Sequence, residues 1–368
     1  VKSKNILRKS AALLLAALTA VSSPCAAAAE DSADSSPSAS GSDSAVSDRS
    51  KSRASEPEAP EAEKKFIRWM KFDVPENALR AAMNIDIKSH SGSAPVSWVD
   101  ILAYLGAKYG GNWKKYKASD LMAAAKKLSP AGSADTLSVS MKYFSFYREA
   151  YGAVLSNFLG DYTAEVPDGS GDVKTVTRYG LKAFSPIAKG YGYSHYRDFG
   201  ASRSFGYSRP HLGNDLLGSI GTPIVAVEGG IVESLGWNRY GGWRVGIRSF
   251  DSNRYYYYAH LRRGHPYAKD LRQGSVVRPG DVIGYLGMTG YSDREDVNNM
   301  TKPHLHFGMQ IIFDESQKDG SGEIWIDVYD IVNLLSSNRS AVVRDDATKD
   351  YRRAYDFLDL KWREYYGR

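Results

Sequence analysis

Apolar residues recur at helical spacing before about residue 160 and at alternate positions after about residue 180, and this change of period divides the sequence. The stretch "SWVDILAYLGAKYG" sets Trp98, Ile101, Leu102 and Leu105 on one helical face, with Ser97 as an N-cap and Gly110 and Gly111 as the stop. "SDLMAAAKKLSP" opens with a second Ser/Asp cap signal and ends before Pro130. "MKYFSFYREAYGAVLSNFLG" then aligns Tyr147, Tyr151, Val154, Leu155 and Phe158. Aromatics at that spacing are read as core rather than as a sugar-stacking surface. A small helical domain is expected over 66–160, followed by a polar linker over 161–178.

Beyond it, "TPIVAVEGGIVESLGW", "WRVGIRSF", "RYYYYAHL", "SVVRPGDVIGYLG" and "PHLHFGMQIIF" are short β-rich runs separated by Gly, Pro and Asn, the pattern of an antiparallel sheet or sandwich over 179–325. Residues 326–368, with "DVYDIVNLLSS" and "KDYRRAYDFLDLKWREYY", read as terminal helices packed outside. The fold class is α+β, without repeats.

The first 65 residues have another character. Lys2, Lys4, Arg8 and Lys9 precede the apolar run "AALLLAALTAV" and the small residues "PCAAAAE", the layout of a secretory signal peptide over 1–29, cut near Ala29. The run is too short for an ordinary membrane span, so no stable membrane insertion is expected after cleavage. Residues 30–65 hold Ser, Ala, Asp, Glu and Pro, with Val46 as the one large apolar residue, and read as a disordered tether. The expected product is exported and associated with the cell wall or released. Cys25 is the only cysteine, so the mature chain has no disulfide and no thiol ligand. Lipidation at Cys25 is disfavoured by Ser22 and Pro24. Removing the four leader cations from the 48 Lys and Arg leaves them nearly matched by 42 Asp and Glu, which removes the charge argument for a nucleic-acid partner.

Candidate chemistry sits in the β-rich part. "TKPHLHFGMQ" places two of the seven histidines one residue apart, so His304 and His306 face the same side of a strand. Upstream, "RPHLGNDLLG" supplies His211 and, four residues on, Asp215. Alone, that pair reads more readily as a buried histidine satisfied by a nearby aspartate than as a site. Two imidazoles and a carboxylate together make a three-ligand shell with an open position, as catalytic zinc requires. A non-haem iron site uses the same ligand types.

In order, "RPHLGNDLLGSIGTPIVAVEGGIV", "YYYYAHL", "VVRPGDVIGYLGMTG" and "PHLHFG" resemble the catalytic domain of the lysostaphin-type zinc endopeptidases, which are bacterial peptidoglycan hydrolases; the likeness runs over roughly residues 184–313. The resemblance implies an open, mostly antiparallel β-fold, the duplicated hybrid motif. It implies one Zn2+ per chain held by His211, Asp215 and His306, with His260 and His304 catalytic. The implied partner is peptidoglycan, cut in its cross-links or stem peptides; oligomeric state is not implied. In that scheme His304 takes a proton from the attacking water, and His260 donates to the oxyanion or the leaving nitrogen. Tyr256 and Tyr258 share a strand face with His260 and are candidates for the groove wall, with Tyr255 and Tyr257 packing on the other face.

Two features depart from the family pattern. The loops "YSDREDVNNMTK" and "RRGHPYAKDLRQG" are long, and Gly308 stands where a glutamate is common. A non-catalytic relative that binds wall or activates a partner hydrolase is the competing reading, and retention of all five residues favours the enzyme. The remaining histidines, His90, His195 and His265, read as loop or packing residues. Because the helical domain precedes a wall hydrolase, it is expected to cover part of the groove.

Overall fold

The computed structural model describes residues 66–320 and 322–367, so the leader and tether assigned to 1–29 and 30–65 lie outside the described residues. Five helices come first: α1 (Glu76–Ser89), α2 (Trp98–Tyr109), α3 (Ala118–Leu128), α4 (Ser133–Ser140) and α5 (Phe144–Leu155). Trp98, Ile101, Leu102 and Leu105 of α2 are buried, as their spacing requires. Ser97 occupies the N-cap position without a side-chain capping bond. Asp86 caps instead, its Oδ2 accepting from the Trp98 N–H at 2.8 Å. Gly110, at φ 60°, closes the helix in the left-handed conformation. Tyr151, Val154, Leu155 and Phe158 are buried with Tyr147 at their edge, so these aromatics are core.

Strands β1 (Leu159–Pro167) and β2 (Val173–Leu181) follow and pair antiparallel along their whole length. The polar stretch 161–178 is therefore a hairpin rather than a bare linker. Its tip is an Asx turn in which Asp168 Oδ1 accepts from the Ser170 N–H at 2.8 Å.

The β-rich region comprises β3 (Ser194–His195), β4 (Ser202–Phe205), β5 (Tyr207–Pro210), β6 (Asn214–Leu217), β7 (Pro223–Val225), β8 (Gly230–Asn238), β9 (Gly242–Ser249), β10 (Arg254–Ala259), β11 (Val276–Val277), β12 (Val282–Tyr285), β13 (His304–Ile311) and β14 (Ile324–Trp325). The main sheet has the order β11-β8-β9-β10-β13-β6-β3, with β14 beside β13, and its pairs are antiparallel. One face buries Val245, Ile247, Tyr256, Tyr258, Phe307 and Met309 completely. The other carries the small residues Gly246 and Gly308 on either side of Tyr257, leaving a shallow floor.

The chain ends with α6 (Tyr329–Leu335), β15 (Val342–Arg344), β16 (Tyr351–Arg353) and β17 (Phe357–Asp359). The first expected terminal helix forms. The second does not: β16 pairs with β15, and β17 adds to the free edge of β1. The run "YRRAYDFLDL" fits both periods, and tertiary pairing decides between them. Phe357 and Asp359 point inward, where Asp359 meets the buried Lys182 ammonium at 2.7 Å.

The helical segment is anchored to the far end of β10. Arg254, the first residue of that strand, is fully buried; it donates to Glu228 Oε2 at 2.8 Å, Asp251 Oδ2 at 2.8 Å and the Ala153 carbonyl at 2.6 Å. α1 lies on α6, with Arg80 Nη2 donating to the Leu334 carbonyl at 3.2 Å. A buried guanidinium that loses a partner is costly, about 3–5 kcal/mol when a buried pair is broken. A fragment starting at Tyr179 should therefore melt about 10 °C or more below the full chain, or lose cooperativity, in a thermal scan by circular dichroism. An unchanged melting temperature would show that the helices are dispensable to the fold.

Candidate active site

The register of three neighbouring strands assembles the site. His306 on β13 lies directly opposite Asp215 on β6 and, on its other side, opposite Ala259 at the end of β10. His211 precedes β6 and turns back onto the same spot. His211 Nε2, Asp215 Oδ1 and His306 Nδ1 converge at mutual separations of 3.0, 2.8 and 3.1 Å. Among the described residues, these three form the group able to hold a metal ion.

Their surroundings prepare three lone pairs. In the tautomer that donates from Nδ1 to the Asp198 carbonyl, 3.2 Å away, His211 presents a bare Nε2 to the centre. Arg203 Nη2 donates to Asp198 Oδ2 at 2.6 Å and to Asp215 Oδ2 at 3.1 Å, leaving Asp215 Oδ1 for the centre. Burial opposes ionisation of Asp215, yet the adjacent imidazoles of His211 and His306 outweigh it and hold the carboxyl well below the usual carboxylate range. Burial lowers His306, partly opposed by Asp215, which favours the neutral imidazole. Ligand atoms about 2.0–2.2 Å from a shared tetrahedral ion stand roughly 3.3 Å apart, so this donor set suits such an ion with one position open.

His304 and His260 stand beside this trio. His304 Nε2 is 3.8 Å from Asp215 Oδ1, and the His260 and His304 ring centroids are 4.7 Å apart. Each ring is oriented by a backbone carbonyl: His304 Nδ1 donates to Lys302 O at 2.8 Å and His260 Nδ1 to Thr289 O at 2.7 Å. Both therefore turn a bare Nε2 away from those carbonyls. Burial pushes His260 well below the ordinary histidine range, and the neighbouring His304 and His306 add to the effect.

The tyrosine assignment is reversed. Tyr256 and Tyr258 are buried in the core, whereas Tyr257 flanks the His306 ring with centroids 5.8 Å apart. His260 follows β10 with φ 60°, a left-handed conformation rare for a non-glycine residue, and strand alternation stops there. That turn allows His260 to join the histidines of β13, away from its nominal partners in alternation.

Several supporting residues carried no signal in the single sequence. Thr289 is fully buried, its Oγ1 donating to the Leu261 carbonyl at 2.6 Å and accepting from the Trp243 N–H at 3.1 Å, so it fixes the carbonyl that orients His260. Gly213 leaves room for His306: a Cβ there would stand 2.7 Å from its Cε1 and Nε2. At Gly308 a Cβ would meet the Trp325 ring at 2.9 Å, so the indole takes the space of a longer side chain. The other three histidines lie elsewhere: His90 stacks on Tyr179, His195 bonds Asn214, and His265 pairs with Asp350. A pocket of about 480 Å³ opens beside His306, lined in part by Tyr255, Tyr257, Trp325 and Arg244. Among the described residues, none of 66–160 lines this pocket.

A strand-borne His/Asp/His centre flanked by two oriented histidines has the donor set of a metallopeptidase. Residues 209–319 match the family described as Peptidase family M23. The L-Ala–D-Glu endopeptidase of Bacillus subtilis (strain 168) is 43% identical over 117 residues, 32% of this chain and 34% of that protein. Peptidoglycan DD-endopeptidase ShyC of Vibrio cholerae is 37% identical over 103 residues, 28% of this chain and 20% of that protein. Among solved structures, the catalytic domain of the antimicrobial peptidase lysostaphin from Staphylococcus simulans is 27% identical with a TM-score of 0.30, covering 38% of this chain and 92% of that one. The matches thus span about a third or less of the two enzymes' own lengths.

Gly213→Ala tests how the centre is held. The methyl should displace the His306 ring and weaken metal binding at least tenfold in a cobalt(II) titration followed by absorbance, with little change in far-UV circular dichroism. Undiminished cobalt affinity would show that His306 has slack the packing does not suggest.

Proposed function

We propose that this protein is an exported zinc endopeptidase that hydrolyses peptide cross-links or stem peptides of bacterial peptidoglycan. The observation that carries the reading is the convergence of His211, Asp215 and His306 beside two histidines whose Nδ1 atoms are both occupied by backbone carbonyls. The M23 match and the activity named for the Vibrio relative supply the peptide bond and the wall substrate. The export signal read in residues 1–29 agrees with a substrate outside the cell. Among the described residues, no helix is long and apolar enough to cross a membrane.

His211, Asp215 and His306 are the residues that would hold the ion. When bound, zinc supplies Lewis-acid polarisation and brings the pKa of a water close to neutrality. The protein's own groups divide the proton traffic. His304 Nε2 is bare when neutral and faces the Asp215 side of the centre, so it takes the proton from the attacking water. His260 becomes a donor only after Nε2 gains a proton, because Nδ1 is committed to Thr289. Its donor role therefore belongs to the charged imidazole, stabilising the oxyanion or protonating the leaving nitrogen.

Digestion of purified peptidoglycan followed by mass analysis tests the activity. Fragments cut within peptides are expected; new sugar reducing ends or no products would refute it. Metal analysis of protein purified without added metal should give about one zinc per chain, and iron in its place would favour an oxygen-using site. His306→Ala should lose metal and hydrolysis together. His304→Ala and His260→Ala should keep zinc while turnover falls by about 10²–10⁴, the usual contribution of a positioned acid or base. If His304→Ala loses zinc as fully as His306→Ala, the division of roles is wrong.

A further inference from the structure

Arg244, on the floor of the pocket beside His306, is a cation without a carboxylate partner among the described residues. Its Nη1 donates to Ser234 Oγ at 2.9 Å, and its Nε is buried without an acceptor. Among the described residues, no carboxylate is paired with the guanidinium. By contrast, Glu233 in the same pocket is paired with Lys318 and lies 3.7 Å from Arg248, while Glu323 accepts from the Trp325 indole at 2.7 Å. Asp319 and Glu323 sit exposed at the rim, where solvent screens them. Arg244 is half-buried on the floor, where its charge is screened less.

The sheet register relates this guanidinium to the centre. Arg244 lies one position beyond the Tyr258↔Val245 pair, level with Ala259, and Ala259 is paired with His306. Arg244, Ala259 and His306 thus form one row across three adjacent strands, with only a methyl between the two larger side chains. Two strand spacings are roughly 10 Å. An extended peptide advances about 3.3–3.6 Å per residue, so a group held by Arg244 belongs to a residue within about three of the bond at the centre. A planar fork of N–H donors is the geometry that receives a carboxylate in two parallel hydrogen bonds.

We propose that Arg244 is a specificity-determining subsite for a free carboxylate, so that the substrate is an acidic peptide with its charged residue within three positions of the scissile bond. This rests on reading the groove as a peptide site. Neutralising Arg244 by substrate would compensate a guanidinium that meets no carboxylate among the described residues, whereas an amide in that place would leave it uncompensated.

Two measurements on the full chain test it. The first is binding, read by tryptophan fluorescence, since Trp325 lines the pocket. Acetyl-Ala-Glu-Ala-amide, with either configuration at Glu, should bind at least roughly tenfold tighter than its Gln counterpart. Arg244→Gln should abolish that preference and Arg244→Lys should restore part of it. The second is hydrolysis of purified peptidoglycan before and after carbodiimide amidation of its carboxyl groups. The wild type should lose roughly ten- to hundredfold in rate on the amidated wall, and Arg244→Gln should hydrolyse both walls at the same reduced rate. Equal binding of the Glu and Gln peptides by wild type, or a preference that survives Arg244→Gln, overturns the subsite even if the wall is still cut. A preference that depends on Arg244 without wall hydrolysis upholds it, and the failure then belongs to the proposed function.

Discussion

The pairing of β13 with β6 is the constraint on which the rest of the site depends. It brings His306 opposite Asp215, residues 91 positions apart in sequence, and does so by backbone hydrogen bonds rather than by the side chains that use the result. A slip of one residue would turn every side chain of β13 to the other face, sending both histidines into the core and Leu305 and Phe307 toward water. The complete burial of Leu305, Phe307 and Met309 therefore fixes the register, and the register fixes the centre. Stability and chemistry are written on alternate positions of the same strand.

The parts of the site visible in the sequence were those that obey a simple period. His304 and His306 could be placed on one face because strand alternation is local, and the α2 core face could be named because helical spacing is local too. The failures occur where geometry leaves the period. Tyr256 and Tyr258 were assigned to the groove by counting back from His260, but a left-handed residue at the strand end breaks the count. The C-terminal run carries both periods, and the free edge of β1, invisible in the local pattern, decides for strand. Gly213, Thr289 and Arg203 act through close approach and orientation, which a single sequence does not encode as spacing. A glycine cradle is recognisable only once the ring it admits is known.

The helical segment illustrates why proximity in sequence is a poor guide to regulation. It precedes the β domain, which made an inhibitory cover plausible, yet its polar anchor is Arg254 at the opposite end of β10 from His260. The two are six positions apart, roughly 20 Å at strand rise. The guanidinium sits in a fully buried network with Glu228, Asp251 and the Tyr256 hydroxyl, and the Ala153 carbonyl completes it. The helices thus close the polar core of the sheet's packed side.

That division gives the two faces of the sheet different ways of handling charge. On the packed side, the buried cations Arg254 and Lys182 meet carboxylates within the protein, Glu228 with Asp251 and Asp359 respectively. On the groove side, Arg203 braces two carboxylates, and Asp215 turns its remaining oxygen to the centre. Arg244 alone in that row meets only a hydroxyl. A guanidinium left without a carboxylate beside the reactive centre leaves its counter-charge to whatever binds there, which is the physical form that specificity takes when an unpaired group is costly.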